Sequence, residues 1–215
     1  MTKKYELVLD DTISFWGWKL FRIRALISFG SVEVGDLGGY IEKEENLSHD
    51  GNAWVSGDAK VSGDAKVSGD AKVSGNAKVS GDAKVSGDAK VSGDAKVSGD
   101  AKVSGDAKVS GNAKVSGNAK VSGDAKVSGN AEVSGNAEVW GNAKVSELGD
   151  LIVFKNHWSS GRHFTYTKSN KMWKVGCFYG TGQELIEKAY RDSEKSGNYY
   201  KACVDFVENL EKLGD

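Results

Sequence analysis

Few of the 215 residues carry side chains that could do chemistry together. The imidazoles are His49, His157 and His163, and the thiols are Cys177 and Cys203. A histidine activates a serine or cysteine nucleophile, or joins thiolates around zinc, only when the partners converge. None of these five shows a metal-ligand spacing, no Ser-His-Asp set can be assembled, and no glycine-rich phosphate loop follows a strand. No catalytic residue, cofactor or metal is therefore expected, and the two thiols read as small buried hydrophobes in a reducing compartment. Asp70, Asp88, Asp106 and Asp124 recur every eighteen residues. A carboxylate column of that kind could hold cations, but the nine-residue Gly-Gly-x-Gly-x-Asp pattern of calcium β-rolls is absent, so these carboxylates read as solvated. Recognition chemistry has better material. Trp158, Arg162, His163, Tyr166 and Trp173 crowd one turn-rich stretch, and Trp, Tyr and Arg are the usual anchors of protein interfaces. The alternative for Tyr166 and Trp173 is the core of a small sheet.

The framework around these residues is written in the repeat. From Gly51 to Ser146 run sixteen consecutive hexapeptides, almost all Gly-Asp/Asn-Ala-Lys-Val-Ser. A six-residue period traces no stripe on a helix, and a glycine in each hexad costs a helix about 1 kcal/mol apiece relative to alanine. A strand accommodates the pattern: Ala59 and Val61 fall on one face, Lys60 and Ser62 on the other. Gly63-Asp64 then supplies a corner, because Gly, Asn and Asp tolerate positive φ. Three strands and three corners close one eighteen-residue coil with Val and Ala inside. Stacked coils put Glu132 over Lys114 and Glu138 over Lys120, whereas elsewhere Lys lies over Lys.

The inward pair four residues apart, as in Val61 and Ala65 or Val139 and Ala143, resembles the hexapeptide-repeat proteins that form left-handed parallel β-helices. The resemblance implies a mainly β protein of about five to six coils, and the left hand comes from it alone. The runs Arg22-Ile23-Arg24-Ala25-Leu26, Gly35 to Glu42, Asn46-Leu47-Ser48 and Trp54-Val55 resemble the N-terminal cap of uncharacterised bacterial and phage-borne members. The family also implies trimers and, in its acyltransferases, a catalytic histidine in or beside an extruded loop. No loop and no histidine interrupts residues 51–146 here.

Three segments are expected: an N-terminal β cap with an irregular first coil (1–50), the β-helix (51–146) and a C-terminal α+β module (147–215). In the cap, residues 5–25 read as a hairpin turning at Phe15-Trp16-Gly17-Trp18, and Gly35 to Gly39 reads as a turn cluster. Ile41 and Leu47 already stand six apart, as in a coil. Trp54 and Trp140 replace polar residues near the two ends of the repeat and read as packed beneath caps. In the module, strands at 151–154, 164–167 and 173–178 precede a helix opened by the capping box Thr181-Gly182-Gln183-Glu184. A break at Gly197-Asn198 precedes a second helix with Tyr200, Cys203, Val204, Val207 and Leu210 as its apolar stripe.

A net charge of −1 is too balanced for a nucleic-acid binder, and no apolar run is long enough to span a bilayer or serve as a signal peptide, so a cytoplasmic protein is expected. The functional expectation is a non-enzymatic scaffold: a rigid rod presenting a C-terminal recognition module to a host or phage protein, with an accessory or counter-defence role if phage-borne. The alternatives are an acyl-CoA-dependent acyltransferase and a repeat regularised by engineering.

Overall fold

The computed structural model describes residues 2–15 and 17–214; Trp16, at the expected hairpin turn, lies outside the described residues. The chain divides into two compact units, Met1–Leu148 and Gly149–Asp215.

The first unit is a parallel β-solenoid. Its hexapeptides form sixteen two-residue strands, β4 (Trp54–Val55) through β19 (Lys144–Val145). Every third strand pairs in register, Lys72 with Lys90 and Val73 with Val91, so residues eighteen apart stack into three sheets. Val and Ala fill the interior, each at most 1% exposed throughout the repeat. Each coil donates to the next: Lys72 N to Ala89 O and Ser74 N to Val91 O, both 2.9 Å. Glycine is obligatory at the corners for two reasons. Gly87 has φ +68°, and a Cβ there would sit 3.0 Å from the backbone nitrogen of Gly105 in the next coil.

The cap begins with β1 (Tyr5–Phe15) antiparallel to β2 (Trp18–Ala25), which pairs in turn with β3 (Leu37–Ile41). β3 then runs parallel to the strand at Lys60–Val61, and an isolated bridge joins Leu47 to Val67. With Trp54–Val55 on the third sheet, residues 40–55 form a first coil, giving about six turns in all. Ile41 and Leu47 each lie twenty residues before their partners Val61 and Val67, whereas Val55 lies eighteen before Val73. The corner between Leu47 and Val55 therefore carries two extra residues. The expected turn at Gly35 to Gly39 is corrected in part: Leu37-Gly38-Gly39 belongs to β3. Glycine is needed there for closeness rather than turning, since a Cβ on Gly38 would meet Ile23 Cγ1 at 2.4 Å and one on Gly39 would meet Ala59 O at 2.7 Å.

The second unit is a four-stranded antiparallel meander with two helices: β20 (Leu151–Lys155), β21 (His163–Thr167), β22 (Met172–Val175), β23 (Phe178–Gly180), α1 (Gly182–Asp192) and α2 (Glu194–Gly214). The expected single strand over 173–178 is a hairpin, turned at Gly176 with φ 56°. The capping box at Thr181 forms as expected, with the Thr181 hydroxyl accepting from Glu184 N. The helix break falls at the extended Ser193 instead of Gly197. Gly197 is helical and makes room for the Tyr190 ring, which would stand 2.1 Å from a Cβ.

Candidate functional site

Three surfaces carry polar or aromatic groups in defined arrangements. The first is the N-terminal end of the solenoid. Because N–H groups of each coil donate to the following one, the first coils hold carbonyls that no earlier strand can serve. Side chains serve them. Lys4 Nζ donates to Ala53 O at 2.9 Å and Gly51 O at 3.2 Å. Asn46 Nδ2 donates to Ala65 O at 2.9 Å and Gly63 O at 3.0 Å, the same two carbonyls of another hexad. Tyr5 donates its hydroxyl to Leu47 O at 2.8 Å and Glu44 O at 2.9 Å. Burial holds the Lys4 ammonium down at about 8, partly opposed by Asp50 and Asp70, and burial raises the Tyr5 phenol. The two-residue corner insertion brings His49 against this cap, where its ring stacks on Tyr5 at 4.4 Å and its Nδ1 accepts from Lys4 N. Trp54 is buried as expected, edge-on to Phe29 at 5.4 Å. Trp140 departs from expectation, being 43% exposed.

The second surface is the outward face of the solenoid. Lysines stand in columns on all three sheets, and the acidic substitutions pair as the stacking rule requires: Lys114 with Glu132 at 2.6 Å and Lys120 with Glu138 at 2.8 Å. Asp70, Asp88, Asp106 and Asp124 form one column, parallel to Lys72, Lys90, Lys108 and Lys126. These two columns line a trough of about 1170 Å³, whose N-terminal end is walled by Val32, Asp36 and Leu37. Among the described residues no group of three or more His, Cys, Asp or Glu is arranged to hold a metal ion.

The third surface belongs to the second unit. Of the five recognition candidates, Tyr166 and Trp173 are buried, within a core that includes Phe164, Val175, Leu185, Val204 and Val207. The Tyr166 hydroxyl donates to Glu211 at 2.7 Å, and burial raises that phenol. Trp158 is half-buried, stacked on Tyr199 at 4.6 Å, and its buried indole N–H has no hydrogen-bond partner among the described residues. Arg162 lies over Gly176, and His163 sits on β21 opposite Lys155. The five thus do not form one exposed patch. Their loop is organised by buried Asn156, whose Oδ1 accepts from Trp158 N and Ser159 N. Sequence gave no signal for that asparagine beyond its place before a turn. The larger exposed apolar feature is on α2: Phe206 is 56% exposed and Leu213 84%, with Leu210 between them. Leu210, expected in the buried stripe, thus faces outward. Cys177 is exposed, contrary to the expected burial, and Cys203 is half-buried with its thiol pushed up by burial. The histidines lie in different units, His49 in the first and His157 and His163 in the second.

A solenoid with a filled core, a sealed first end and an outward face of ordered charge columns belongs to the structural class of β-helical rods. The family model of bactofilins, described as polymer-forming cytoskeletal, matches residues 59–150. The matched segment covers most of the repeat and a few residues beyond it, and over that stretch the chain is similar to the family. No curated protein matches the chain. Among the described residues no helix is long and apolar enough to cross a membrane.

Proposed function

We propose that this protein is a non-enzymatic scaffold that self-associates through its solenoid and uses residues 149–215 to recognise a protein partner. The observation that carries the reading is that a family described as polymer-forming cytoskeletal matches 59–150, the stretch whose strands repeat in unbroken register. Such a rod changes length by whole coils without altering its cross-section, which suits a structural element. The recognition half rests on the outward apolar row Phe206, Leu210 and Leu213, at the spacing of one helix face, and on the exposed Tyr199 stacked on Trp158. A phage or host protein as that partner, and a counter-defence role, belong to this proposal on the resemblance of the flanks alone.

Analytical ultracentrifugation and negative-stain electron microscopy of the full chain test the reading. Ordered multimers are expected. A chain that stays monomeric at high concentration and instead binds acyl-CoA would replace the scaffold with the acyltransferase.

A further inference from the structure

Self-association needs a surface, and the carbonyls of the first coils do not offer one. Those at Gly51, Ala53, Gly63 and Ala65 are occupied by Lys4 and Asn46, and β2 pairs with the edge of β3, leaving β1 as the outermost strand. A second copy cannot extend the stacked coils there without displacing these groups. The side faces run the length of the solenoid, and they are not equivalent.

On two of the three sheets the acidic columns are shorter: Asp64, Asp82 and Asp100 run over three coils with Asp64 already paired to Lys43, and Asp58 and Asp94 are separated by Asn76. Lys114 and Lys120 pair with Glu132 and Glu138, and Asn112, Asn118 and Asn130 interrupt the corner columns. The sheet containing β7 (Lys72–Val73) through β16 (Lys126–Val127) differs. Its acidic column is unbroken over four coils, and its lysine column matches it rung for rung. Asp70 accepts from Asn52 N, but among the described residues Asp88, Asp106 and Asp124 make no ion pair within 4 Å. The same holds for the lysines beside them. Equal numbers of opposite charges are thus held apart in two parallel columns spaced by the strand repeat of about 4.8 Å.

We infer that this face is where a second copy of the chain docks, with the two solenoids side by side and parallel. The arrangement decides the orientation. Turning a copy by half a revolution about an axis parallel to the columns puts its lysines opposite the first copy's aspartates, and the reverse. Turning it about an axis across the columns puts like on like. Only the parallel pairing is complementary, and it is a closed twofold contact in which Asp88 meets the partner's Lys90 and Lys90 the partner's Asp88. The exposed Leu37, walling the trough at one end, then meets its own counterpart and adds apolar area to a contact that is otherwise electrostatic. A polyanion is a poorer occupant, since the aspartate column repels it along the whole length of the lysines.

The inference rests on the scaffold reading and specifies its contact. Two variants test it: Asp70, Asp88, Asp106 and Asp124 all →Lys, and Lys72, Lys90, Lys108 and Lys126 all →Asp. Sedimentation velocity of the full chain at low salt is expected to show a dimer that weakens by about tenfold or more when ionic strength is raised from about 0.05 to 0.5 M. Each variant alone is expected to stay single, and an equimolar mixture is expected to pair again. That rescue also shows both variants are folded. The control, Asp82 and Asp100→Lys on another face, is expected to pair as the unaltered chain does. Association that persists in both single variants, or ignores salt, overturns the face assignment while leaving the scaffold in place. A chain that never associates overturns both. Single variants and a mixture that all fail to associate, with circular dichroism showing intact β structure, overturn the pairing alone.

Discussion

At the residue scale, the informative groups are those that imitate a missing coil. Lys4 and Asn46 each deliver two donors to the Gly and Ala carbonyls of one hexad, doing with a side chain what a preceding strand does elsewhere with backbone N–H. Asn46 is fully buried and satisfied on both ends, its Oδ1 accepting from Lys43 N at 3.0 Å. Asn46→Asp keeps the shape but turns two donors into lone pairs facing carbonyls. A loss of about 3 kcal/mol or more is expected in urea unfolding, exceeding that of Asn46→Ala. Lys4 allows a test by pH. Its ammonium is buried at 1% exposure and titrates near 8 in the fold against 10.5 when free. Between those values the unfolded chain holds a proton that the folded chain has released, so the stability of the native protein relative to Lys4→Met rises with pH, by up to about 1.4 kcal/mol per unit. The gain begins near pH 8 and is complete above 10.5. A flat difference across that window would show that Lys4 is not buried as a cation. None of this was legible in the sequence, because a lysine in the first turn of chain and an asparagine before a leucine look like solvated residues until the end of the solenoid is built around them.

At the element scale, the repeat was readable for the reason it folds. In Ala-Lys-Val-Ser, alternation sends Ala and Val inward, and no competing period exists. The glycines were readable as corners, but their second role was not. Gly87 and Gly135 share positive φ, yet a Cβ on Gly87 meets the next coil at 3.0 Å and one on Gly135 meets nothing within 4 Å. Gly87→Ala is therefore expected to cost more than Gly135→Ala, which bears only the left-handed backbone cost of roughly 1–2 kcal/mol. Thermal unfolding of the two variants measures the stacking contribution as their difference, and equal losses would assign the whole cost to φ. Where sequence reading failed, a glycine was assigned the commoner of two roles. Gly38, Gly39 and Gly197 look like breakers, but each marks a place where a neighbouring side chain or strand comes too close for a Cβ. Gly176, read as the interior of a strand, is a turn. Proximity depends on partners distant in sequence, Ile23 for Gly38 and Tyr190 for Gly197, and no local pattern records them. The recognition candidates failed similarly. Tyr166 and Trp173 have interface chemistry, but in a sheet of this size the same rings are needed as core.

At the scale of the whole molecule, the two units rest on different sources of stability. The solenoid is held by contacts between neighbouring coils, so its unfolding free energy accumulates along its length. The second unit has a single core of aromatic and aliphatic side chains, with Phe154 stacked on Phe164 at 4.9 Å and Trp173 edge-on to Phe164 at 6.3 Å. A unit of that size is of marginal stability by the scaling of buried surface with length. Two transitions are therefore expected in guanidinium, with the less stable one belonging to residues 149–215. Trp173 is its reporter, because removing the ring from its buried site changes the fluorescence. Far-UV circular dichroism at β wavelengths should follow mainly the later transition. A fragment of residues 149–215 is expected to reproduce the first midpoint, since the core residues all lie within it. A single coincident transition by both probes, with an unfolded fragment, would mean instead that the module draws its order from the solenoid. Recognition would then be coupled to the rod's own integrity, and removing coils would alter partner binding as well as length.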